Sequence, residues 1–270
     1  MSLVRSYAWE TRKLIRQRRT WWGLAAAVVY ALAFVLTLSL KKHAGIPPDI
    51  PLAKQATQTG VVLPLALLAF ATFFGAPIIS ALVAGDIVSS EDANNTLKMI
   101  LTRSTTRTTI YWAKTLAAAT YGVALMLVLF ATSTVGSIIA WGLHGATLLD
   151  GRTVGGGHAL GLDVLAYATY LLPLAVLIGV AVFLSTVTRN SAAAIVGTVI
   201  FSLAWQGVAV LPGIKAAKNW LFPKQFDAWE SLFGQPGDSI GRAVLMCAIY
   251  ALVPLLIGWV VFLRRDVAGA

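Results

Sequence analysis

Residues 164–188 read VLAYATYLLPLAVLIGVAVFLSTVT, a run without Asp, Glu, Lys or Arg. About 20 such residues in an α-helix cross the hydrocarbon core of a bilayer, so the run is a predicted membrane span. Working outward, five more runs lack all four charged types: 21–40, 61–85, 115–143, 191–214 and 243–263. Six long apolar runs predict an all-α polytopic membrane protein and exclude the short alternating segments of a β-barrel. The whole composition agrees: 58% of the 270 residues are hydrophobic and 12% are charged, with mean hydropathy +0.77. Soluble domains carry roughly 25% charged residues, and disorder needs still more charge and less apolar surface.

The formal charge is +10, from 21 Lys+Arg against 11 Asp+Glu. Beside membrane spans such an excess meets anionic headgroups and sets orientation, so nucleic acid is not an expected partner. With six spans the termini share one side. That side carries thirteen basic residues against eight on the other, which predicts cytoplasmic termini in the cell (inner or plasma) membrane. The first run is too long for a signal-peptide core and lacks an A-x-A-like cleavage site, so it is expected to remain as a span. The one cysteine, Cys247, falls in an apolar run and reads as packing.

Two segments outside the runs have helical periodicity. In residues 3–19, Leu3, Val4, Tyr7, Thr11, Leu14 and Ile15 share one arc of a helical wheel, and Arg5, Arg12, Lys13 and Arg16 lie opposite. That pattern predicts an interfacial amphipathic helix, with Trp21 and Trp22 in the aromatic belt where the chain enters the membrane. In the loop 86–114, Ala93, Leu97, Ile100 and Leu101 follow i, i+4, i+7, i+8 spacing. A short helix with one apolar face outside the membrane buries that face in a partner's groove, on the bilayer, or under its own bundle.

The order of these features resembles the ABC-2 type permeases, the membrane subunits of one class of ATP-binding-cassette exporters. The residues that carry the resemblance are Glu10 and Lys13 in the basic segment, then Glu91, Thr96, Leu97, Arg107 and Lys114 after the second run. Asn95 and Ser104 stand where Gly and Pro are usual in the family. The resemblance implies that residues 1–20 form an elbow helix and residues 21–270 a six-span domain. The loop 86–114 would hold a coupling helix that docks on a separate ATPase subunit through Glu91, Ala93, Thr96, Leu97, Ile100, Leu101, Arg103 and Arg107. It also implies short re-entrant helices before the sixth span, and a second copy or homologous permease as partner. The turn 188–191 would make a minor second contact, or is simply a tight turn between helices.

No G-x-x-x-x-G-K-[ST] occurs, so ATP and Mg would reside on the partner subunit; no cofactor is expected on this chain, and the chain is not expected to be an enzyme. None of the six runs holds Asp, Glu or His, which argues against proton coupling and against an intramembrane lipid enzyme. His144, Asp150, His158 and Asp163 match no standard metal spacing and read as solvated loop residues; Gly155, Gly156 and Gly157 read as a flexible loop. Between residues 212 and 241, Trp220, Phe222, Phe226 and Trp229 are too many aromatics for a solvated loop and are expected to dip into the interface or cap the bundle, as a gate or an anchor. Asp227 and Glu230 fit a capping box opening a short helix there. Gln206 is the one amide deep in a run, suited to lining a pathway or to bonding between helices. These readings converge on the permease subunit of an exporter. A channel without ATP coupling, or a scaffold for membrane assembly, is the alternative.

Overall fold

A computed structural model describes residues 2–41, 59–72, 75–93, 106–148, 151–211, 220–234 and 239–264. In chain order the helices are α1 (Leu3–Arg16), α2 (Arg18–Lys41), α3 (Leu63–Ala71), α4 (Gly75–Ala84), α5 (Ser89–Ala93), α6 (Arg107–Trp141), α7 (Gly156–Thr188), α8 (Ser191–Val210) and α9 (Ile240–Arg264). A 3-10 helix, Phe222–Phe233, lies between α8 and α9. Among the described residues five helices are long and apolar enough to cross a membrane: α2, α6, α7, α8 and α9. The protein is a helical, multi-pass membrane protein.

The boundaries follow local chemistry. Thr106 caps α6, its hydroxyl accepting from the Thr109 amide at 3.3 Å. Gly142, at φ 74°, ends the same helix while its own amide returns to the Ile138 carbonyl at 2.8 Å. Asn190 caps α8 by accepting from the Ala193 amide at 3.1 Å, and Arg189 takes the left-handed turn from α7. Pro173 and Pro254 sit inside α7 and α9. Packing neighbours and side-chain hydroxyls can re-satisfy the carbonyls that such prolines leave open.

Within the run 61–85 the described residues form two helices, α3 and α4, and residues 61–68 are buried. Other expectations are corrected. Gly155 is the N-cap of α7 and Gly156 and Gly157 form its first turn, so they are not a loop. Asp227 and Glu230 lie within the 3-10 helix, which starts at Phe222 because Pro223 fixes the opening turn after an extended Leu221. The chain also includes one short antiparallel pairing, Ala146–Thr147 with Thr153–Val154.

α7 is the central helix, packed against α4, α6, α8, α9 and the 3-10 helix. Close approach to α9 depends on Gly179, where a Cβ would stand 2.9 Å from the Ala251 carbonyl oxygen. One end of the bundle gathers α1, α5, the start of α6 and the end of α9. The opposite end, the hairpin end, gathers the paired strands Ala146–Thr147 and Thr153–Val154, the start of α7 and the 3-10 helix.

Candidate functional site: a buried charge cluster at the α1 end

Ser6, Glu10 and Leu14 form the face of α1 that is buried against the bundle, and Tyr7 bonds Thr120 of α6 at 2.7 Å. Leu3, Val4 and Ile15, expected on one apolar face with Leu14, remain exposed, Ile15 by 54%. The helix forms where its periodicity placed it, but its inward stripe is rotated toward Glu10. A carboxylate there is expensive unless it is paired.

The pairing comes from three elements. Lys114, eight residues into α6 and 0% exposed, donates to Glu10 Oε2 at 3.2 Å, to the Ile87 carbonyl at 3.3 Å, and reaches Glu91 Oε2 at 2.6 Å. Lys13, expected on the solvent side of α1, instead reaches inward to pair with Glu91 and lies 3.9 Å from Glu10. Its flexible stem spans the angle that the wheel assigned to its Cα. Two lysines and two glutamates make a neutral set, with Glu10 and Glu91 only 4% and 3% exposed. Burial, and next the neighbouring Lys114 ammonium, push the Lys13 ammonium down to about 8.

Next to this set, Arg19 of α2 pairs with Asp86, whose other oxygen accepts from Ser191 of α8. Ser185 of α7 accepts from the Val88 and Ser89 amides at 3.2 and 3.0 Å, and Ser89 meets Ser191 at 2.9 Å. Arg107 donates to the Leu263 carbonyl in the last turn of α9 at 2.9 Å. Segment 85–92 is therefore bonded to α1, α2, α6, α7 and α8.

Of the expected coupling residues, Glu91 is in the cluster, and Arg107 opens α6 and bonds the Leu263 carbonyl of α9. Ala93 closes α5, and Thr96, Leu97, Ile100, Leu101 and Arg103 lie outside the described residues. Gln206 donates to the Thr72 carbonyl at 3.3 Å, where the chain leaves α3, and to Ser202 at 3.1 Å. It thus bonds α8 to the end of α3. Phe222, Phe226 and Trp229 are buried in the cap formed by the 3-10 helix, with Phe226 5.1 Å from Tyr170 and Phe222 5.8 Å from Phe201, while Trp220 is exposed. Asp163, expected in a solvated loop, is inside α7 and 0% exposed. Among the described residues no group of three or more His, Cys, Asp or Glu could hold a metal ion.

A helical membrane protein with a buried, neutral charge cluster at one end of its bundle is the class that fold and site define. Residues 49–268 match the model of a family described as "Protein of unknown function (DUF2705)", and the chain belongs to that family. A curated relative, the "Uncharacterized protein YhcI" of Bacillus subtilis (strain 168), is 28% identical over 204 residues, covering 71% of this chain and 64% of the relative.

Proposed function

We propose that the chain is the permease subunit of an ATP-binding-cassette exporter, working as a pair of permeases driven by a separate ATPase. The observation that carries this reading is the meeting of Glu10, Lys13, Glu91 and Lys114 in one buried cluster. These four residues, 104 positions apart at the extremes, contribute to the family resemblance, and their contact gives a physical reason for the pattern. Segment 94–105 connects α5, which carries Glu91, to α6, which carries Lys114, so force applied to it by a docked ATPase would act on the cluster.

In this reading the run 61–85 counts as one crossing, giving six spans with both termini in the cytoplasm. The exposed Leu3, Val4 and Ile15 face of α1 lies in the headgroup layer. Leu97 anchors the coupling helix in a groove of the ATPase, and losing a well-buried Leu at such a hot spot costs about 2–4 kcal/mol of association. The 3-10 helix with Phe222, Phe226 and Trp229 closes the outer end. The test is affinity capture of the full chain from its native membrane with an ATPase bearing a Walker loop. Capture by the wild type and its loss in Leu97→Asp, with both proteins monodisperse, supports the reading. Retention of the ATPase and of full ATP-dependent export in Leu97→Asp removes the coupling assignment, and failure of the wild type to bind any ATPase removes the exporter.

A further inference from the structure

α1 presents two unlike faces. The inner face buries Ser6, Glu10 and Leu14 against the bundle, and Lys114 holds Glu10 there at 3.2 Å. On the outer face Arg5, Trp9, Arg12 and Arg16 are all exposed. Their i, i+4, i+7, i+11 spacing sets them in one row along the helix, about 16 Å long at 1.5 Å per residue. Glu10 is the one acidic residue of α1, so no carboxylate on the helix neutralises the row. Beside the row, about a quarter turn away on the wheel, runs an apolar strip that includes the exposed Val4 and Ile15. Such a pair of strips lets the apolar one enter acyl chains while the guanidinium groups stay level with phosphates.

The position of α1 relative to the membrane follows from α2. Gln17 alone separates the two helices, and α2 is long and apolar enough to span a membrane. Trp21 and Trp22 are exposed in its first turns, and Trp21 Nε1 donates to the Ile15 carbonyl at 2.7 Å. Indoles mark the headgroup level of a span, so this bond fixes the end of α1 at that level. Charge then selects the headgroup. A phosphate accepts bidentately from the guanidinium fork. In phosphatidylcholine each phosphate arrives with a quaternary ammonium that the arginines repel, whereas phosphatidylglycerol carries a net negative charge.

We propose that the outer face of α1 is a binding surface selective for anionic phospholipid, with Arg5, Arg12 and Arg16 pairing headgroup phosphates around Trp9. Trp9 also joins this surface to the charge cluster, because the Lys13 ammonium lies 5.6 Å from its ring centroid. The surface does not depend on the exporter reading; it needs only that α2 enters a bilayer.

The experiment places a bimane fluorophore on Val4→Cys of the full chain, in the Cys247→Ala background. The protein is held in nanodiscs of phosphatidylcholine and phosphatidylglycerol in equal parts. One lipid or the other carries a doxyl group near the head of its acyl chain, at the same mole fraction, and quenching of the bimane is compared. Phosphatidylglycerol is expected to quench about twofold or more strongly than phosphatidylcholine. The preference should fall toward equality in about 1 M salt, where charges are screened within about 3 Å. It should fall likewise in the triple variant Arg5→Gln, Arg12→Gln, Arg16→Gln. Equal quenching by the two lipids in the wild type, or an undiminished preference in the triple variant, overturns the proposal. Quenching by neither lipid also overturns it, since the face then lies in water and suits an acidic protein surface. The comparison of the two lipids and its salt dependence stand on the wild-type row even where the triple variant does not fold.

Discussion

Replacing Lys114 by Met removes the fully buried cation of the pair that holds both buried glutamates. Met keeps the length and apolar volume of the side chain, so the change is chiefly electrostatic. In the wild type, Lys114 holds Glu10 at 3.2 Å and Glu91 at 2.6 Å, with its third contact to the Ile87 carbonyl at 3.3 Å. In the variant, two carboxylates that are 4% and 3% exposed share Lys13, and the cluster changes from neutral to one net negative charge. Breaking a buried pair by removing one partner costs about 3–5 kcal/mol. Lys114→Met is therefore expected to lose about that much in reversible unfolding in detergent, or to fail to accumulate. Adding Glu91→Gln restores neutrality, and the double variant is expected to be more stable than the sum of the two single losses by at least about 1 kcal/mol. A loss below about 1 kcal/mol in Lys114→Met, or strict additivity in the double variant, would refute the cluster as a coupled unit.

Lys13 gives a pH dependence. Its folded-state value is depressed from 10.5 to about 8, so between those values the unfolded chain holds the proton that the folded chain has released. Stability contributed by this group rises with pH through that window; chemical unfolding at pH 7.5 and 9.5 should show wild type gaining on Lys13→Met, and a flat or falling difference counts against it. Gly179→Ala puts a Cβ 2.9 Å from the Ala251 carbonyl oxygen, so α7 and α9 must separate at a cost of about 1–3 kcal/mol, read as a lower unfolding midpoint; an unchanged midpoint would mean the helices have slack. Gln206→Leu removes the donor to the Thr72 carbonyl and should cost about 1–2 kcal/mol of stability; unchanged stability with altered transport would instead favour a pathway role.

Long apolar runs made the helical membrane class legible, because backbone polar groups in hydrocarbon must bond within the segment. Two boundaries were hidden by the criterion that found the runs. Treating every charge as a terminus cut α6 at Thr115 and α7 at Val164, whereas Lys114 and Asp163 lie inside those helices, fully buried. Lys114 belongs to the charge cluster, and a buried charge is what a search for uncharged runs discards. The residues of the cluster were legible through the family resemblance, but their contact was not, because it joins positions in α1, α5 and α6. The wheel for α1 found the helix and misplaced Lys13, since it fixes a Cα angle and not the end of a long side chain.

The central claim is that segment 85–92, held by the buried cluster, passes the work of ATP hydrolysis to the bundle. The most direct measurement is ATP-dependent export by the reconstituted complex, taken with ATPase retention, for Glu91→Gln in the background Lys114→Met. The account predicts a folded double variant that keeps its ATPase bound and hydrolysing ATP while export falls at least tenfold, because the charged link between α1, α5 and α6 is gone. Full export in that variant, with ATPase bound at wild-type levels, would contradict it.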